Sequence, residues 1–419
     1  MSKVPMRRLD EVGTISRGKS KHRPRNDPKL YGGQYPFVQT ADVKNAGLYL
    51  YDYEQTYNED GLAQSKLWEP GTLCITIAAN IADTSILGIH ACFPDSVMGF
   101  IPDASKCDVR YIKYSFDMLQ QQMKQISQGA TQDNLSWQKL ATIRFPIPNL
   151  EIQKRIADAI AAYDNLIENN RRQIALLEEA AQRLYKEWFV DLRFPGYKNV
   201  EIIEGVPQGW QKKPLAKCLD KEIGGGWGQE SSSHEFPEIG FVIRATDISD
   251  IEGGNITSVP LRWHKTSNIR PRTLEAGDII FEVSGGSREH GVGRSMLVTQ
   301  EELDAFGKPV MCASFCKRIK PKQGLSLLLA ECISYEYSTE GLRKFEKRSA
   351  GNIINYHWKP FLSEYNVLIP DGETLATFEK QVGQIRDKKS RAAQAIRFAR
   401  EARDRLLPKL MSGEIEVER

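Results

Sequence analysis

The residues of this sequence best suited to binding a ligand are basic and amide side chains in two polar stretches. The first stretch sets six cations against the single carboxylate of Asp27, a local charge of +5. A flexible basic loop neutralises phosphates, and Arg, Gln and Asn side chains in it can read base edges in a DNA groove. The six cations are Arg17, Lys19, Lys21, Arg23, Arg25 and Lys29.

The second stretch, residues 343–359, has five cations, one carboxylate and a local charge of +4. It follows two glycine-rich segments, residues 224–228 around Trp227 and residues 285–290. A basic cluster on its own is more often a solvated surface than a binding site. The presence of such a cluster in each half of the chain favours DNA binding.

The motifs of several enzyme classes are missing from the sequence. It has no P-loop, no HExxH, no GxSxG and no Asn/Asp-Pro-Pro-aromatic loop of the kind that adenine-methylating enzymes carry. Asp371, Asp387 and Lys389 superficially match a nuclease pattern, but the last two fall on a predicted helix, far from Asp371. We therefore expect no catalytic residue in this chain.

Length and composition indicate a globular protein of several domains. The 419 residues are 41% hydrophobic and 26% charged, with no apolar run long enough to span a membrane and no apolar leader at the start. Seven cysteines without repeated CxxC spacing indicate free thiols in a reducing compartment. Cys312 and Cys316, on one face of a predicted strand over 312–319, are better explained as buried thiols than as zinc ligands. We expect a cytoplasmic bacterial or archaeal protein with no metal site.

The elements that must position the polar side chains occur twice. Gly129 begins a polar loop, an aromatic residue, an apolar strand ending at Pro148 and then a helix. Gly351 begins the same series 222 residues later, with Pro370 at the strand end. Upstream, with gaps, residues 35–42 resemble 239–247. The sequence therefore predicts one unit of about 210 residues written twice.

Apolar residues spaced four and three apart predict a long coiled-coil helix at the end of each unit. The first seam runs from Ile156 to Trp188, and the second, 222 residues on, is weaker and contains Lys389 and Arg403. Residues 151–188 hold six cations and seven carboxylates, whereas residues 386–409 hold nine and three. These charges favour pairing of the two helices with each other, antiparallel, with polar seam residues fixing the register.

Short apolar runs between Gly, Pro and Asn loops predict mixed blocks before each helix, including a helix over 326–347. The predicted fold is α+β: two mixed α/β domains in tandem repeat, separated and spanned by two long helices that form an intramolecular antiparallel coiled coil. The predicted domains are residues 1–148, a central long helix 149–190, a linker 191–205, a second block 206–370 and a C-terminal long helix 371–419.

Three segments resemble conserved helical regions of the specificity (S) subunits of type I restriction-modification systems. They are Pro-Asn-Leu-Glu-Ile-Gln-Lys-Arg-Ile-Ala at 148–157, Leu-Tyr-Lys-Glu-Trp-Phe-Val-Asp at 184–191 and Arg-Asp-Arg-Leu-Leu-Pro-Lys-Leu-Met-Ser-Gly-Glu-Ile at 403–415. The resemblance covers essentially the whole chain, as target-recognition domain, helix, target-recognition domain, helix. The second helix departs from it at its start, where Ala-Thr-Phe-Glu-Lys-Gln stands at 376–381.

The resemblance implies a DNA-binding subunit without a catalytic site. Each domain would read one half of a bipartite, asymmetric site in double-stranded DNA, and the helix pair would set the spacer and dock partner subunits. The implied partners are two methyltransferase (M) subunits, which bind S-adenosylmethionine and methylate adenine, and two restriction (R) subunits. With the R subunits the complex would become an ATP-driven, Mg²⁺-dependent endonuclease. No cofactor is then expected on this chain, and no membrane partner.

Two alternatives stay open beside this interpretation. One is a coiled-coil assembly scaffold without sequence-specific DNA binding, and the other is the specificity module of another methyltransferase or nuclease system. A fused restriction enzyme is excluded by the missing catalytic motifs.

Side chains in the polar loops and at strand ends are the candidates for DNA contact. Asp42 and Asp247 beside them are expected to form turns, because phosphates repel carboxylates. The candidates in the first domain are Arg17, Lys19, Lys21, Arg23, Gln39, Thr40, Lys44, Thr131, Gln132 and Asn134. The candidates in the second domain are Trp227, Gln229, Arg244, Thr246, Ser287, Arg288, His290, Asn352, Asn355 and His357.

Overall fold

The structure, a computed structural model, describes residues 4–77, 83–126, 137–286, 291–349 and 353–416. The chain divides into two compact units, one of residues 1–168 with 399–419 and one of residues 169–398. No helix among the described residues is long and apolar enough to span a membrane. All seven cysteines are buried and free of disulfides.

Short strands and helices fill the chain up to residue 149, and a long helix follows. The strands are β1 (Met6–Arg7), β2 (Gly13–Arg17), β3 (Tyr31–Phe37), β4 (Tyr49–Leu50), β5 (Gln55–Tyr57), β6 (Leu67–Trp68), β7 (Leu73–Thr76), β8 (Thr84–Leu87), β9 (Ala91–Cys92), β10 (Val97–Pro102) and β11 (Phe145–Pro146). The helices are α1 (Leu9–Val12), α2 (Thr40–Asn45), α3 (Glu59–Ala63), α4 (Val109–Ile126), α5 (Trp137–Thr142) and α6 (Leu150–Tyr185).

The first unit contains two main sheets. The larger has the strand order β2-β10-β7-β8-β4, with antiparallel neighbours except for the parallel pair of β4 and β8. The smaller has the order β5-β3-β9-β6, in which β3 and β9 run parallel. Strands β7 and β8 are buried at every residue, as expected for central strands covered on both faces.

The chain beyond residue 190 repeats this pattern and ends in a second long helix. The strands are β12 (Ile202–Ile203), β13 (Val206–Pro207), β14 (Gln211–Pro214), β15 (Leu219–Gly224), β16 (Glu238–Ile243), β17 (Leu261–His264), β18 (Ile279–Glu282), β19 (Ser284–Gly286), β20 (Ser295–Leu297), β21 (Val310–Cys312), β22 (Cys316–Pro321), β23 (Glu346–Arg348), β24 (Ile354–Tyr356) and β25 (Asn366–Ile369). The helices are α7 (Ile248–Glu252), α8 (Thr266–Ile269), α9 (Gln300–Phe306), α10 (Ser326–Ser338), α11 (Trp358–Glu364) and α12 (Gly372–Ser412).

The main sheet of the second unit has the strand order β15-β22-β18-β20, with antiparallel neighbours throughout. The strands β2-β10-β7-β8 of the first unit have the same order and directions. In a second sheet, β17-β16-β21, the central strand β16 is antiparallel to β17 and parallel to β21. Strand β3 of the first unit is likewise antiparallel to β5 and parallel to β9. The internal repeat and the α+β fold predicted from the sequence are therefore confirmed.

Two local predictions in the second unit are wrong. The apolar run over 312–319 is not one strand, because a turn closed by the Cys316 N–H and the Ala313 carbonyl oxygen, 2.9 Å apart, separates β21 from β22. Cys312 and Cys316 therefore lie on different strands. The helix predicted over 326–347 ends at Ser338, since Glu340 takes a left-handed φ of 60° and β23 begins soon after.

Both long helices begin after a residue whose side chain caps the first turn. The Asn149 side chain accepts the Ile152 N–H at 2.9 Å, and the Asp371 side chain accepts the Thr374 N–H at 3.0 Å. Helix α6 is followed by a π-helical turn, Lys186–Val190.

In the first unit, the start of α6 packs with the end of α12. Ile156 and Ile160 share a core with Leu407 and Leu410. The guanidinium of Arg403, a polar residue of the predicted seam, lies 2.7 Å from the Asp164 carboxylate on α6. Since Tyr114 also donates to Asp164, at 2.6 Å, this carboxylate joins the helices to α4.

In the second unit, the end of α6 and the following turn pack with the start of α12. Trp188 and Phe189 share a core with Phe378 and Val382. The other polar seam residue, Lys389, lies 2.6 Å from a carboxylate oxygen of Glu178 on α6. The start of α6 thus packs with the end of α12, and the end of α6 packs with the start of α12. The two helices therefore run antiparallel, as predicted.

Candidate nucleic-acid interface

The candidate site of the second unit lies at one edge of its main sheet, where β15 and β18 end and β22 begins. Gly224, the last residue of β15, and Glu282, the last residue of β18, pair with the first two residues of β22. The turn that precedes β22 carries Phe315 between these two strand ends. Trp227 and Gln229 follow β15 directly, so the fold brings these two predicted residues to this edge.

The same edge of the first unit carries the basic loop. Strands β2 and β7 end there beside the start of β10. The turn before β10 is closed by the Val97 N–H and the Pro94 carbonyl oxygen, 3.0 Å apart, and it carries Asp95. The Ile77 N–H donates to the Ser96 carbonyl oxygen at 3.0 Å.

The two turns are equivalent in their backbone hydrogen bonds and different in their side chains. The Val283 N–H donates to the Phe315 carbonyl oxygen at 2.9 Å, which is the counterpart of the bond between Ile77 and Ser96. Phe315 of the second unit therefore stands where the first unit has Ser96. The sheet edge is one backbone frame that carries two sets of side chains.

Gly18 and Gly225 hold each strand end against its turn. A Cβ on Gly18 would lie 2.3 Å from the Pro94 carbonyl oxygen, and a Cβ on Gly225 would lie 2.1 Å from the Ala313 carbonyl oxygen. The obstacle is backbone in both cases and cannot move aside, so glycine is required for this close approach.

Several side chains of the basic loop of the first unit have partners within the protein. His22 Nε2 lies 2.8 Å from a carboxylate oxygen of Asp27, and this hydrogen bond lowers the pKa of the Asp27 carboxyl. The Arg23 guanidinium donates to a backbone carbonyl oxygen of the same loop at 2.7 Å. Arg23 and Arg25 both pair with Asp95. Two of the cations of the loop are therefore already bound, Arg23 by a loop carbonyl and both Arg23 and Arg25 by a distant carboxylate.

Three more of the predicted residues of the first unit, Gln39, Thr40 and Lys44, lie at or within α2. Gln39 precedes α2, and its side-chain amide donates to Gln55 Oε1 at 3.0 Å. Thr40 opens α2 and Lys44 is exposed in its last turn. The exposed cations of the basic loop and of the strand before it include Arg17, Lys19 and Lys21.

Asp42 and Asp247 close equivalent turns, as expected. Asp42 accepts the Gln39 N–H at 2.7 Å, and Asp247 accepts the Arg244 N–H at 2.9 Å. The Arg244 guanidinium also binds both carboxylate oxygens of Asp247, at 2.9 and 2.6 Å, which raises the pKa of Arg244. The charge of this predicted DNA contact is therefore balanced within its own turn, whereas Thr246 beside it is exposed.

Trp227 stands on the glycine-rich turn with 40% of its surface exposed. The guanidinium of Arg262 lies 5.0 Å from the centroid of its ring, within the range of a cation–π interaction. Gly228 has a φ of 77°, and a Cβ there would lie 2.5 Å from the Trp263 carbonyl oxygen. Gln229 exchanges two backbone hydrogen bonds with Trp263. The turn thus presents an aromatic ring and a cation on a rigid backbone.

A small sheet of order β19-β24-β23 holds another polar group of the second unit. Ser284, Asn355 and Lys347 lie side by side across its three strands, and Ser284 Oγ lies 2.6 Å from Asn355 Oδ1. Lys347 and Arg348 are exposed, as is His357 just before α11. Because β19 follows β18, this sheet continues from the edge that carries Phe315.

Seven predicted DNA contacts lie outside the described residues. They are Thr131, Gln132, Asn134, Ser287, Arg288, His290 and Asn352.

The sequence-based prediction missed three residues of the edge: Phe315, Asp95 and Arg262. Phe315 was hidden in an apolar run that predicts one continuous strand. Asp95 lies in a Pro-Asp-Ser sequence, which is a turn signal. Within the described ranges, no group of three or more His, Cys, Asp and Glu residues could hold a metal ion.

Comparison with known proteins relates the chain to one family. Residues 1–179 match the family described as type I restriction modification DNA specificity domain. The type I restriction enzyme MjaIX specificity subunit of Methanocaldococcus jannaschii is 24% identical over 449 residues, covering 100% of this chain and 96% of that protein. The MjaVIII specificity subunit of the same organism is 27% identical over 194 residues, 44% of each chain.

One solved structure has the same fold. The type I restriction-modification system S subunit from M. genitalium superposes with a TM-score of 0.52 and 14% identity, covering 97% of this chain and 95% of that chain.

Proposed function

We propose that the whole chain directs a type I restriction-modification complex to its DNA site. Residues 1–179 match the type I restriction modification DNA specificity domain family, which supports this proposal. Each of its two globular domains reads one half of a bipartite, asymmetric site. The paired helices set the spacer between the half-sites and dock the partner subunits.

The observation that carries this proposal is the repeated sheet edge with different side chains. In the first domain the edge carries the basic loop and Asp95, and in the second it carries Trp227, Arg262 and Phe315. Sequence is read through the side chains that reach base edges, whereas the backbone frame only positions them. One frame with two sets of side chains therefore reads two different half-sites.

The helix pair supports the role of a spacer. Helices α6 and α12 have 36 and 41 residues, about 54 and 62 Å at 1.5 Å per residue. Half-sites one DNA turn apart are separated by roughly 34–36 Å, which helices of this length can span. The ion pair of Arg403 holds the helices in register within the first unit, and that of Lys389 does so within the second.

Catalysis belongs to the partners in this proposal. Two methyltransferase subunits bring S-adenosylmethionine and methylate adenine in the site, and two restriction subunits bring ATP-driven, Mg²⁺-dependent cleavage. This chain contributes the DNA contacts and the docking surface.

A domain exchange tests whether each domain recognises its own half-site independently of the other. Residues 206–370 are replaced by the corresponding segment of another specificity subunit, and methylated sites in a host carrying the partner subunits are mapped by sequencing. We expect one half-site to change to that of the donor and the other to stay. A chimera that methylates the original site would contradict the proposal.

A salt titration separates DNA binding from a plain scaffold. Lys21→Ala removes an exposed cation of the basic loop, whereas Lys388→Ala removes an exposed cation of α12 and serves as the control. If Lys21 contacts a phosphate, its loss reduces the slope of log affinity against log salt by about 0.9. A scaffold would show no DNA affinity at all, and equal slopes for both variants would remove Lys21 from the interface.

Inserting one heptad into both α6 and α12 tests the spacer. The insertion keeps both seams in phase and lengthens each helix by about 10.5 Å. Mapped sites should then have a spacer about three base pairs longer, at 3.4 Å per pair. An unchanged spacer would refute the proposed role of the helices.

A further inference from the structure

Phe315 is more exposed than the other large apolar residue described at the sheet edge of the second unit, Trp227. It is 64% exposed, against 40% for Trp227 at the same edge. Exposed single apolar residues are common, but an aromatic ring at the tip of a tight turn contributes nothing to the core around it. The exposed ring is therefore accessible to a ligand.

The backbone under Phe315 is held rigidly. The Cys316 N–H closes the turn onto the Ala313 carbonyl oxygen at 2.9 Å, and the Phe315 carbonyl oxygen accepts the Val283 N–H at 2.9 Å. The preceding strand is tied to the glycine-rich turn by a 3.0 Å bond from the Gly226 N–H to the Cys312 carbonyl oxygen. The ring consequently projects from a fixed point between two strand ends.

The surroundings of Phe315 are polar and partly cationic. Lys317, two residues on, pairs with Glu222 at 2.7 Å, and Trp227 on the neighbouring turn is covered by the Arg262 guanidinium. Protein-docking surfaces have a contiguous apolar centre, whereas the described part of this edge presents two separate exposed rings, Phe315 and Trp227, among polar groups. That arrangement matches a DNA-binding surface with an apolar wedge.

The first domain has no such ring at the equivalent turn. Ser96 replaces Phe315, and the neighbouring Asp95 binds Arg23 and Arg25. Any effect of the ring is therefore confined to the half-site that the second domain reads.

We propose that Phe315 is a wedge that inserts between two stacked base pairs of the half-site bound by the second domain. This inference rests on the proposed function and adds to it a mode of recognition. Wedge insertion unstacks a base step and kinks the duplex, and pyrimidine–purine steps such as TA and CA/TG unstack most readily. The second half-site is thus predicted to contain such a step at a fixed position, selected by its ease of deformation.

The test is a selection from random DNA by the full chain and two variants. Phe315→Ser installs the residue that the first domain uses at this turn. Phe398→Ser removes another exposed phenylalanine of the same unit, 55% exposed on α12, and is the matched control. Each protein selects from a pool of duplexes with a randomised central segment, and 2-aminopurine is then placed beside the enriched pyrimidine–purine step to report unstacking by its fluorescence.

We expect the unchanged chain and the Phe398→Ser variant to enrich the same two half-sites and to raise the 2-aminopurine fluorescence. Phe315→Ser should keep the first half-site, lose the preference at one step of the second, bind on the order of tenfold more weakly and give no fluorescence rise. Equal affinity and an unchanged step preference for Phe315→Ser would overturn the wedge and leave the proposed function standing. If the chain without any substitution enriched no DNA sequence, both the wedge and the proposed function would be refuted.

Discussion

The replacement Lys389→Met tests the coupling between the helix pair and the second domain. Lys389 lies on α12 with 14% of its side chain exposed. Its ammonium is 2.6 Å from the Glu178 carboxylate on α6 and 2.6 Å from the Glu252 carboxylate on α7. Methionine keeps the length of the side chain and removes the charge. The two carboxylates are then left facing each other without a counter-ion.

The expected cost follows from burial. Removing one partner of a fully buried ion pair destabilises a protein by about 3–5 kcal/mol, because the remaining charge is uncompensated. Glu178 is 43% exposed and Glu252 is 23% exposed, so water screens part of the repulsion. We expect a loss of about 2–3 kcal/mol in the free energy of unfolding.

Urea unfolding of the full chain measures this loss. With a slope of about 2–3 kcal/mol per molar urea, the midpoint of the transition that includes the second unit should fall by about 1 M. Lys388→Met, one residue earlier and exposed, should leave the midpoint within about 0.2 M. Equal shifts for the two variants would refute the reasoning, because then the charge itself and not the buried pair would account for the loss.

Gly225→Ala should lower the free energy of unfolding by about 3 kcal/mol or more, because its Cβ would lie 2.1 Å from a backbone oxygen. Gly224→Ala, with no atom within 4 Å of its Cβ, should cost less than about 1 kcal/mol, and thermal unfolding distinguishes the two. Asp95→Asn releases Arg25 from its ion pair, so DNA affinity should rise a few-fold and its salt dependence should steepen; a weaker binder in a filter-binding titration would contradict this. Burial raises the pKa of Glu302 from 4.5 to about 7, so its contribution to folding is present at low pH and is lost as the pH rises through 7. Glu302→Gln should therefore raise stability at pH 8 by about 1–3 kcal/mol and flatten the dependence between pH 4.5 and 7, whereas an unchanged pH profile would rule out the raised pKa.

The helices were predictable because their signal is local. The heptad spacing identifies the seam, and the break in that spacing at Lys389 and Arg403 identifies the two positions that pair with carboxylates of α6. A cation at a buried seam position needs an anion opposite it, and the acidic first helix supplies one. The antiparallel direction follows from the repeat by symmetry alone.

The sheet edge was only partly predictable because its contacts join distant parts of the sequence. Arg25 pairs with a carboxylate 70 residues later, and no local pattern marks that pair. Phe315 belongs to an apolar run whose composition favours a strand, whereas the turn within it is fixed by hydrogen bonds to other strands. Residue types indicated which loops are polar, and only tertiary structure shows which cations are already paired.

The turn before β22 is closed by main-chain hydrogen bonds, through the Ala313 carbonyl oxygen and the Val283 N–H. Substitutions at its tip therefore remove no hydrogen bond from the framework. A change of side chain at the tip can therefore alter specificity while the turn keeps its fold, whereas Gly225, which supports the turn, has no room for a side chain.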